Sequence, residues 1–257
     1  MDTERLKKLL KVALYYITVP KCVCCEEILD IDDVALCKRC IKEYENSKLS
    51  DCSLCGKVLN ECTCVNDYLE RHMVHKLIKV FRYKPSVDFN EKIASNELIY
   101  HIKREKRNDL LYFMAKEIVL AIRNSLTLDD NYIISSVPRK RSRVIKYGLD
   151  HSAEIAKTVA KLLGIEYVSL LVSNSKQPQK KTHGNMRLQN AVFDYKKKIP
   201  DISGKHVLLL DDIVTTGASL GNSAMLIRGL GAKQVIGVCM AIAYTDSYVP
   251  FETEPKF

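Results

Sequence analysis

Apolar and polar positions follow two different spacings along the second half of the chain. Short apolar runs typical of buried strands cover residues 133–137, 167–172, 206–210 and 235–243. Between them, residues 153–163 and 218–230 have apolar positions at helical spacing, and each of these segments is followed by a glycine, Gly164 or Gly231. Alternating strands and helices predict an α/β fold with a mostly parallel sheet, flanked by helices on both faces.

The first half of the chain has mainly helical patterns. Residues 1–20 have one apolar face and stop at Pro20, and a further helical pattern runs from residue 91 to 123 with a polar interruption at 103–109. Helical spacing is also seen within residues 67–83, at Leu69, Met73, Leu77, Ile78 and Phe81. The predicted units are an N-terminal helix with a cysteine-rich module (1–66), a helical connector (67–130), an α/β core (131–246) and a tail (247–257).

One strand-to-helix junction carries the strongest chemical signal. The apolar residues 207–210 end in two carboxylates, Asp211 and Asp212, and a turn rich in threonine and glycine then opens the next helix. Free backbone N–H groups and the helix dipole favour an anion at such a helix start. Two carboxylates can accept hydrogen bonds from a pair of hydroxyl groups. This order, a diol binder followed by a phosphate binder, predicts a site for a 5-phosphorylated ribose.

Two other interpretations of this junction are an ordinary strand-to-helix turn and the acidic strand of an ATPase. An ATPase also needs a glycine-rich phosphate loop that ends in Gly-Lys-Ser/Thr. The two Gly-Lys pairs of this chain, at 56–57 and 204–205, continue with Val58 and His206 instead. The sequence therefore excludes the ATPase and keeps the ordinary turn as the simpler alternative.

The N-terminal module is dominated by cysteine. Nine of the ten cysteines lie between residues 22 and 64, and most are paired across two intervening residues. That spacing lets two thiolates bind one metal ion, and two such pairs complete a tetrahedral zinc site with a structural role. The predicted ligands are Cys22, Cys25, Cys37 and Cys40 for one ion, and Cys52, Cys55, Cys62 and Cys64 for a second.

Several alternatives for these residues stay open at this point. Cys24 could replace Cys25, the two quartets could interleave, or the thiols could form disulfides, which require an oxidising compartment. His72 and His75 could also be ligands, although histidines on the polar face of a helix are more common. Cys239 lies alone in the apolar run at 235–243 and is expected in the core.

The chain is basic, with a net charge of +9, which favours anionic partners or reflects a solvated surface. Five cations follow the strand predicted at 133–137, namely Arg139, Lys140, Arg141, Arg143 and Lys146. The polar segment at 173–189 is typical of a mobile loop, and Lys196 to Lys198 are typical of a solvated turn. No apolar run reaches the roughly 18–20 residues that cross a bilayer, so we expect no membrane insertion.

The junction at 207–220 closely resembles the signature loop for 5-phosphoribosyl 1-pyrophosphate (PRPP) in type I phosphoribosyltransferases. With the paired-cysteine module, the chain as a whole resembles the ComF family, phosphoribosyltransferase-like proteins associated with competence for DNA uptake. Further matching residues are Ser136 to Arg139, Arg143, Gln179, Arg187, Asn190 and Phe193. The family's Arg-Gly-Phe-Asn-Gln stands here as Tyr147-Gly148-Leu149-Asp150-His151.

The resemblance implies a type I phosphoribosyltransferase fold with the zinc module as a lid or hood, and a cytoplasmic location. In such a transferase, Asp211 and Asp212 are the expected catalytic residues, which hold the ribose hydroxyls and stabilise positive charge at C1. Mg²⁺ would bridge pyrophosphate and ribose oxygens. The expected PRPP-binding residues are Asp211, Asp212, Ile213, Val214, Thr215, Thr216, Gly217, Ala218 and Ser219. Val137, Arg139 and Lys140 are expected at the pyrophosphate, and Lys180, Lys181 and Arg187 in a flexible loop that closes over it.

Two functions follow from these expectations. The first is a PRPP-binding phosphoribosyltransferase-like protein that transfers the phosphoribosyl group to an unknown acceptor. The alternative is a non-catalytic accessory protein of DNA transformation that binds single-stranded nucleic acid, works with other competence proteins and retains a PRPP pocket. A third idea, the glutamine-using amidotransferase of purine synthesis, is excluded because its N-terminal catalytic cysteine and glutaminase domain are lacking.

Overall fold

The computed structural model describes residues 19–52, 54–83, 92–173 and 193–243, and also positions 4, 6, 9, 12 and 15. Those five positions near the N-terminus are helical, which confirms there the helix predicted over 1–20. Within the described parts of the chain, no helix combines the length and the apolarity that a bilayer crossing needs.

A five-stranded parallel sheet forms the centre of the molecule. The strands of the described residues are β1 (Val74–Arg82), β2 (Tyr132–Ser136), β3 (Glu166–Tyr167), β4 (Leu171–Ser173), β5 (Phe193–Tyr195), β6 (His206–Val214) and β7 (Gln234–Ile242). The main sheet has the order β1-β7-β6-β2-β3, and β4 pairs with β5 in a separate antiparallel ribbon. All four neighbouring pairs of the main sheet are parallel, which confirms the predicted fold class.

Helices cover both faces of this sheet. In chain order they are α1 (Lys38–Lys48), α2 (Asp67–Arg71), α3 (Ala94–Arg104), α4 (Asn108–Ser125), α5 (Arg141–Tyr147), α6 (His151–Leu163) and α7 (Ala218–Gly229). Leu208 and Leu210 of β6 belong to the same buried cluster as α4 and α6, whereas Val207 and Leu209 belong to the cluster of α7. Because both faces of β6 are buried, the strand is apolar at consecutive positions.

The helix predicted by the spacing within 67–83 forms only at Asp67–Arg71, and the prediction is wrong for the rest of the segment. Helix α2 ends at Arg71, Met73 has a positive φ of 64°, and the chain then enters strand β1, which pairs with β7 at the edge of the sheet. Four of the residues between 77 and 81 are apolar and all five are buried, which is the pattern of a parallel strand covered on both faces. The segment predicted as a helical connector therefore supplies a strand to the core sheet.

Most other elements lie where the patterns predict them. The helical pattern over 91–123 becomes α3 and α4, which are separated at the predicted polar interruption, and Gly164 ends α6 with a φ of 73°. Two boundaries differ from the prediction. The apolar run at 167–172 is divided between β3 and β4, and β6 continues beyond Leu210 to Val214, so the acidic doublet lies inside the strand.

Candidate functional site

The acidic doublet lies near the carboxyl end of β6. Asp211 and Asp212 are half-buried, and each carboxylate accepts a hydrogen bond from the next backbone N–H, at 2.8 Å from Asp212 N and 2.6 Å from Ile213 N. Lys103, on the last turn of α3, places its Nζ 2.9 Å from Asp212 Oδ2. Burial, followed by the charge of Asp212, raises the pKa of Asp211 to about 8. Asp211 therefore keeps its proton at neutral pH, and its carboxyl can both donate to and accept from hydroxyl groups.

The predicted phosphate-binding turn links β6 to α7. Thr215 and Thr216 are exposed, and Gly217 is the N-cap of α7 with a φ of 82°. A Cβ on Gly217 would lie 2.7 Å from Cγ of Leu69, so glycine is required here both by the backbone conformation and by the neighbouring side chain. The twelve-residue helix α7 directs its free N–H groups toward this turn.

The segment after the cysteine module packs against this turn. Asn66 caps α2 and donates from Nδ2 to the carbonyl oxygen of Thr216 at 3.2 Å. The hydroxyl of Tyr68 donates to Oδ1 of Asn222 on α7 at 2.9 Å. Together with Leu69 against Gly217, these contacts connect α2 to the beginning of α7 and hold the turn in place.

The predicted pyrophosphate loop follows β2, next to β6. Val137 is buried and donates its N–H to the carbonyl of Leu210, whereas Lys140 is exposed. The guanidinium of Arg139 contacts Nδ1 of His151 and lies 5.4 Å from the ring centroid of Tyr147. The loop is thus fixed at Val137, and Arg139 is oriented by residues that follow it in the chain.

His151 is a buried residue whose role the sequence did not indicate. Burial, with a smaller effect of the Arg139 charge, lowers its pKa to about 4, so the imidazole is neutral. Its Nε2 has no hydrogen-bond partner among the described residues. The preceding Asp150 caps α6 through the N–H of Ala153, and Gly148 ends α5 with a φ of 70°. Two of the residues that depart from the family pattern at 147–151 therefore have structural roles. Asp150 caps α6, and His151 contacts Arg139.

A cavity of about 480 Å³ lies beside the doublet, between α3 and α5. Ile213 and Arg139 are the predicted site residues that line it. The aromatic lining residues are Tyr83, Tyr100 and Tyr147. The cationic lining residues are Lys103, Arg104, Arg139, Arg143 and Lys146. From the sequence, Lys146 stands out only as part of a basic run and Arg143 also as a match to the ComF pattern, whereas the contribution of α3 was not predicted. Tyr100, Lys103 and Arg104 share one face of that helix by their spacing, which was the available signal.

Three residues of the predicted flexible loop, Lys180, Lys181 and Arg187, lie outside the described residues. The bend at Lys196 to Lys198 is exposed, as predicted.

Cys239 is fully buried in β7, and burial raises the pKa of its thiol, which confirms the prediction of a core residue.

The eight predicted metal ligands form two separate clusters. In each quartet, the four sulfur atoms lie within 4.8 Å of one another, and all ten cysteines are free thiols. The quartets therefore do not interleave, and Cys24 belongs to neither; its sulfur lies 3.8 Å from the carbonyl oxygen of Lys92. Nδ1 of His72 contacts the carbonyl of Tyr68 rather than a cluster. Four thiolates at this separation suit a tetrahedral zinc ion, so both quartets could hold zinc.

A buried lysine supports the second cluster. Lys79 on β1 is 1% exposed, and its Nζ lies 3.1 Å from Sγ and 3.3 Å from the carbonyl oxygen of Cys62. An ammonium group beside four thiolates reduces the excess negative charge that remains when a divalent ion is bound. Lys79 is the polar residue that interrupts the apolar run of β1, and nothing in its spacing indicated this role.

Comparisons with known proteins agree with this architecture. Residues 149–255 match the family model of the phosphoribosyl transferase domain. The chain is 24% identical over 234 residues to DNA utilization protein YhgH of Salmonella typhi, which covers 87% of this chain and 98% of that protein. The Escherichia coli K12 protein of the same name is 22% identical over 238 residues, with 88% and 100% covered. These comparisons confirm the predicted resemblance to ComF-type, phosphoribosyltransferase-like proteins.

Among solved structures, the adenine phosphoribosyltransferase of Thermoanaerobacter pseudethanolicus aligns with 55% of this chain and 83% of its own. The sequence identity is 14% and the TM-score is 0.35.

Proposed function

We propose that this chain binds PRPP at the carboxyl edge of the parallel sheet and transfers its phosphoribosyl group to an acceptor, as part of DNA uptake or utilization. The observation that carries the proposal is the register of β2 and β6, in which Ser136 pairs with Leu210. This register brings the loop at 137–140 to the level of Asp211, one strand away. Ligands of open α/β sheets bind at this edge, where strand-end loops converge.

Each part of PRPP has a matching group in this arrangement. The doublet would hold the two ribose hydroxyls, and the N–H groups at the start of α7 would hold the 5-phosphate. Arg139, oriented by His151, would contact the pyrophosphate. In the transfer, the acceptor forms a bond to C1 while the bond from C1 to the pyrophosphate oxygen breaks, and pyrophosphate leaves with the electron pair. The negative charge of Asp212 stabilises the positive charge that develops on the ribose.

A magnesium ion fits this site because its carboxylate oxygens are the hard ligands that Mg²⁺ prefers. Asp212, together with Asp211 once it has released its proton, would hold the ion with PRPP oxygens. It would supply neutralisation of the pyrophosphate charge. Zinc in the two cysteine quartets would be structural, since four thiolates leave no position for a substrate.

The double variant D211N/D212N tests the ribose assignment. Asparagine keeps the side-chain shape and removes the ionisable carboxyls, so we expect no measurable PRPP binding by isothermal titration calorimetry in the presence of Mg²⁺. The zinc content should be unchanged. Glu166→Gln is the control because it removes an exposed carboxylate from β3, and its PRPP affinity should equal that of the wild type. An unchanged PRPP affinity in the double variant would falsify the proposal.

A second candidate function is the accessory protein that binds single-stranded nucleic acid and retains the PRPP pocket. The tyrosines and cations of the cavity favour it, because bases stack on aromatic rings and phosphates pair with cations. Release of pyrophosphate from PRPP that depends on an acceptor would support the transferase. Salt-sensitive binding of single-stranded DNA without pyrophosphate release would support the accessory protein instead.

A further inference from the structure

We infer that the cavity between α3 and α5 is the acceptor site, and that the acceptor is an aromatic anion of mononucleotide size or smaller. This inference rests on the proposed function and names the class of molecule that would receive the phosphoribosyl group. It follows from where the cavity lies, from its aromatic lining, from its charge and from its size.

The cavity adjoins the place where the ribose would be held. Lys103 lines it and contacts Asp212, and Ile213, the residue after the doublet, also lines it. A molecule in the cavity would therefore lie against a ribose bound by the doublet, which is the position that a nucleophile attacking C1 needs.

The lining is unsuited to pyrophosphate alone. Tyr83 follows β1, Tyr100 lies on α3 and Tyr147 ends α5, so three separate elements each contribute an aromatic ring. Aromatic rings bind planar rings by stacking or edge contacts, whereas a pyrophosphate group gains little from them. The tyrosines therefore indicate that the cavity takes a planar aromatic molecule.

The charge of the cavity indicates that this molecule is an anion. Lys103 is paired with Asp212, and Arg139 belongs to the pyrophosphate loop. The other three cations, Arg104, Arg143 and Lys146, form no salt bridge with a carboxylate of the described residues. Among the described residues that line the cavity, none has a carboxylate. All three cations are exposed to solvent and free to turn toward a ligand, so a carboxylate or phosphate on the ring would gain charge-assisted hydrogen bonds that a neutral base cannot make.

Two of the cations lie beside the aromatic rings of the cavity. The guanidinium of Arg104 lies 4.1 Å from the ring centroid of Tyr100, and Nζ of Lys146 lies 5.3 Å from that of Tyr147. Ring and charge are thus adjacent on both walls, as an aromatic ring with an attached anionic group requires. At about 480 Å³, the cavity is within the range of small-molecule sites and has room for one such molecule.

In the reaction, a ring nitrogen of the acceptor forms the new bond to C1. The bond from C1 to the pyrophosphate oxygen breaks and pyrophosphate takes its electrons. The proton displaced from the ring nitrogen passes to solvent, so no further reactant is needed.

Calorimetry with matched pairs of compounds tests this inference on the full chain without PRPP. The pairs are uracil with uracil 6-carboxylate, and adenosine with adenosine 5′-monophosphate, because each pair differs in one anionic group. We expect the charged member of at least one pair to bind about tenfold or more tightly than its neutral partner. Equal affinities within both pairs, or displacement of the charged compounds by inorganic pyrophosphate at equal affinity, would overturn the inference. Binding of a single-stranded oligonucleotide but of neither mononucleotide-sized anion would overturn it as well.

Variants locate the binding and separate this inference from the proposed function. R143Q/K146Q should weaken binding of the aromatic anion about tenfold and keep PRPP binding, whereas Arg141→Gln, an exposed cation on α5 outside the cavity lining, should change neither. D211N/D212N should lose PRPP and keep the aromatic anion. If PRPP fails to bind the wild type while the anion binds and R143Q/K146Q weakens it, the proposed function fails and the cavity remains a site for aromatic anions. An unchanged affinity for the anion in R143Q/K146Q would overturn the assignment of this cavity as the acceptor site and would leave the proposed function untouched.

Discussion

Two residues of the site, Asp211 and His151, are neutral at pH 7 because their surroundings disfavour the charged form. Burial raises the pKa of Asp211 to about 8 and lowers the pKa of His151 to about 4, so the uncharged form of each is favoured at pH 7. A protonated carboxyl can donate to a ribose hydroxyl, and a neutral imidazole can accept from Arg139. The sequence shows both residue types, but burial depends on what packs around them, and this could not be read from the chain.

The shift at Asp211 makes stability depend on pH. The unfolded carboxyl titrates near 3.8 and the folded one near 8, so between these values the unfolded state has released a proton that the folded state keeps. The free energy of unfolding must therefore fall as pH rises through this window. We expect Asp211→Asn, which has no such proton, to show a shallower fall than the wild type from pH 5 to pH 8 in urea denaturation. Identical slopes would contradict the assigned shift, and Glu166→Gln should keep the slope of the wild type.

Two separate constraints require glycine at position 217, the backbone conformation and the contact with Leu69. Gly217→Ala must adopt a left-handed backbone, at a cost of about 1–2 kcal/mol, and must also displace Leu69, at about 1–3 kcal/mol more. Gly204→Ala has a similar φ of 75° with nothing within 4 Å of its Cβ, so it should show only the backbone cost. The free energies of unfolding from urea denaturation measure the difference. In a Leu69→Ala background, that difference should shrink; if it does not, contact with Leu69 is not its cause.

At the scale of elements, a helix or strand could be predicted where the apolar pattern of its own residues shows directly which of them are buried. Strand β6 and helix α7 were predictable because an apolar run, a turn and a glycine-ended helix stand in sequence. Strand β1 was not, because Lys79 interrupts its apolar run and left a spacing that also fits a helix. That lysine is buried because it contacts Cys62, which lies far from it in the sequence. The residues next to Lys79 in the sequence do not indicate this contact. The cavity was likewise hidden, since its walls come from α3 and α5, whose packing the pattern does not fix.

The contact between β1 and the second cysteine quartet has a measurable consequence. Without the ammonium of Lys79, the excess negative charge of a zinc ion with four thiolates is less compensated, so that ion should be held less tightly. We expect Lys79→Met to speed chelator-driven release of one zinc per chain about tenfold, measured with a metal-sensitive dye, and to leave the other unchanged. Lys76→Met, at an exposed position of the same strand, should release both at the wild-type rate. Faster loss of both ions in Lys79→Met would instead indicate general unfolding.

At the scale of the whole molecule, the second quartet and the predicted phosphate-binding turn are parts of one connected structure. The chain passes from Cys64 through Asn66 and α2, and from there contacts Thr216, Gly217 and Asn222 at the start of α7. If the second quartet holds zinc, its removal should loosen this segment and with it the turn. The first quartet packs in the other buried cluster, with α1 and the α4 face of the sheet, and no hydrogen bond among the described residues joins its cysteines to the turn.

Coupling between two binding sites is reciprocal, so the connection can be tested from either end. If zinc in the second quartet holds α2 against the turn, PRPP bound at the turn must in return stabilise α2 and retain that zinc. We expect saturating PRPP with Mg²⁺ to slow release of the zinc that Lys79→Met makes labile, and to leave the other zinc unaffected. Asn66→Ala removes both the cap of α2 and its contact with Thr216, so it should reduce the protection that PRPP gives and also weaken PRPP binding. Protection of both ions alike, or PRPP binding that weakens in Asn66→Ala while zinc release keeps its full protection, would show that the two sites are not linked through this segment.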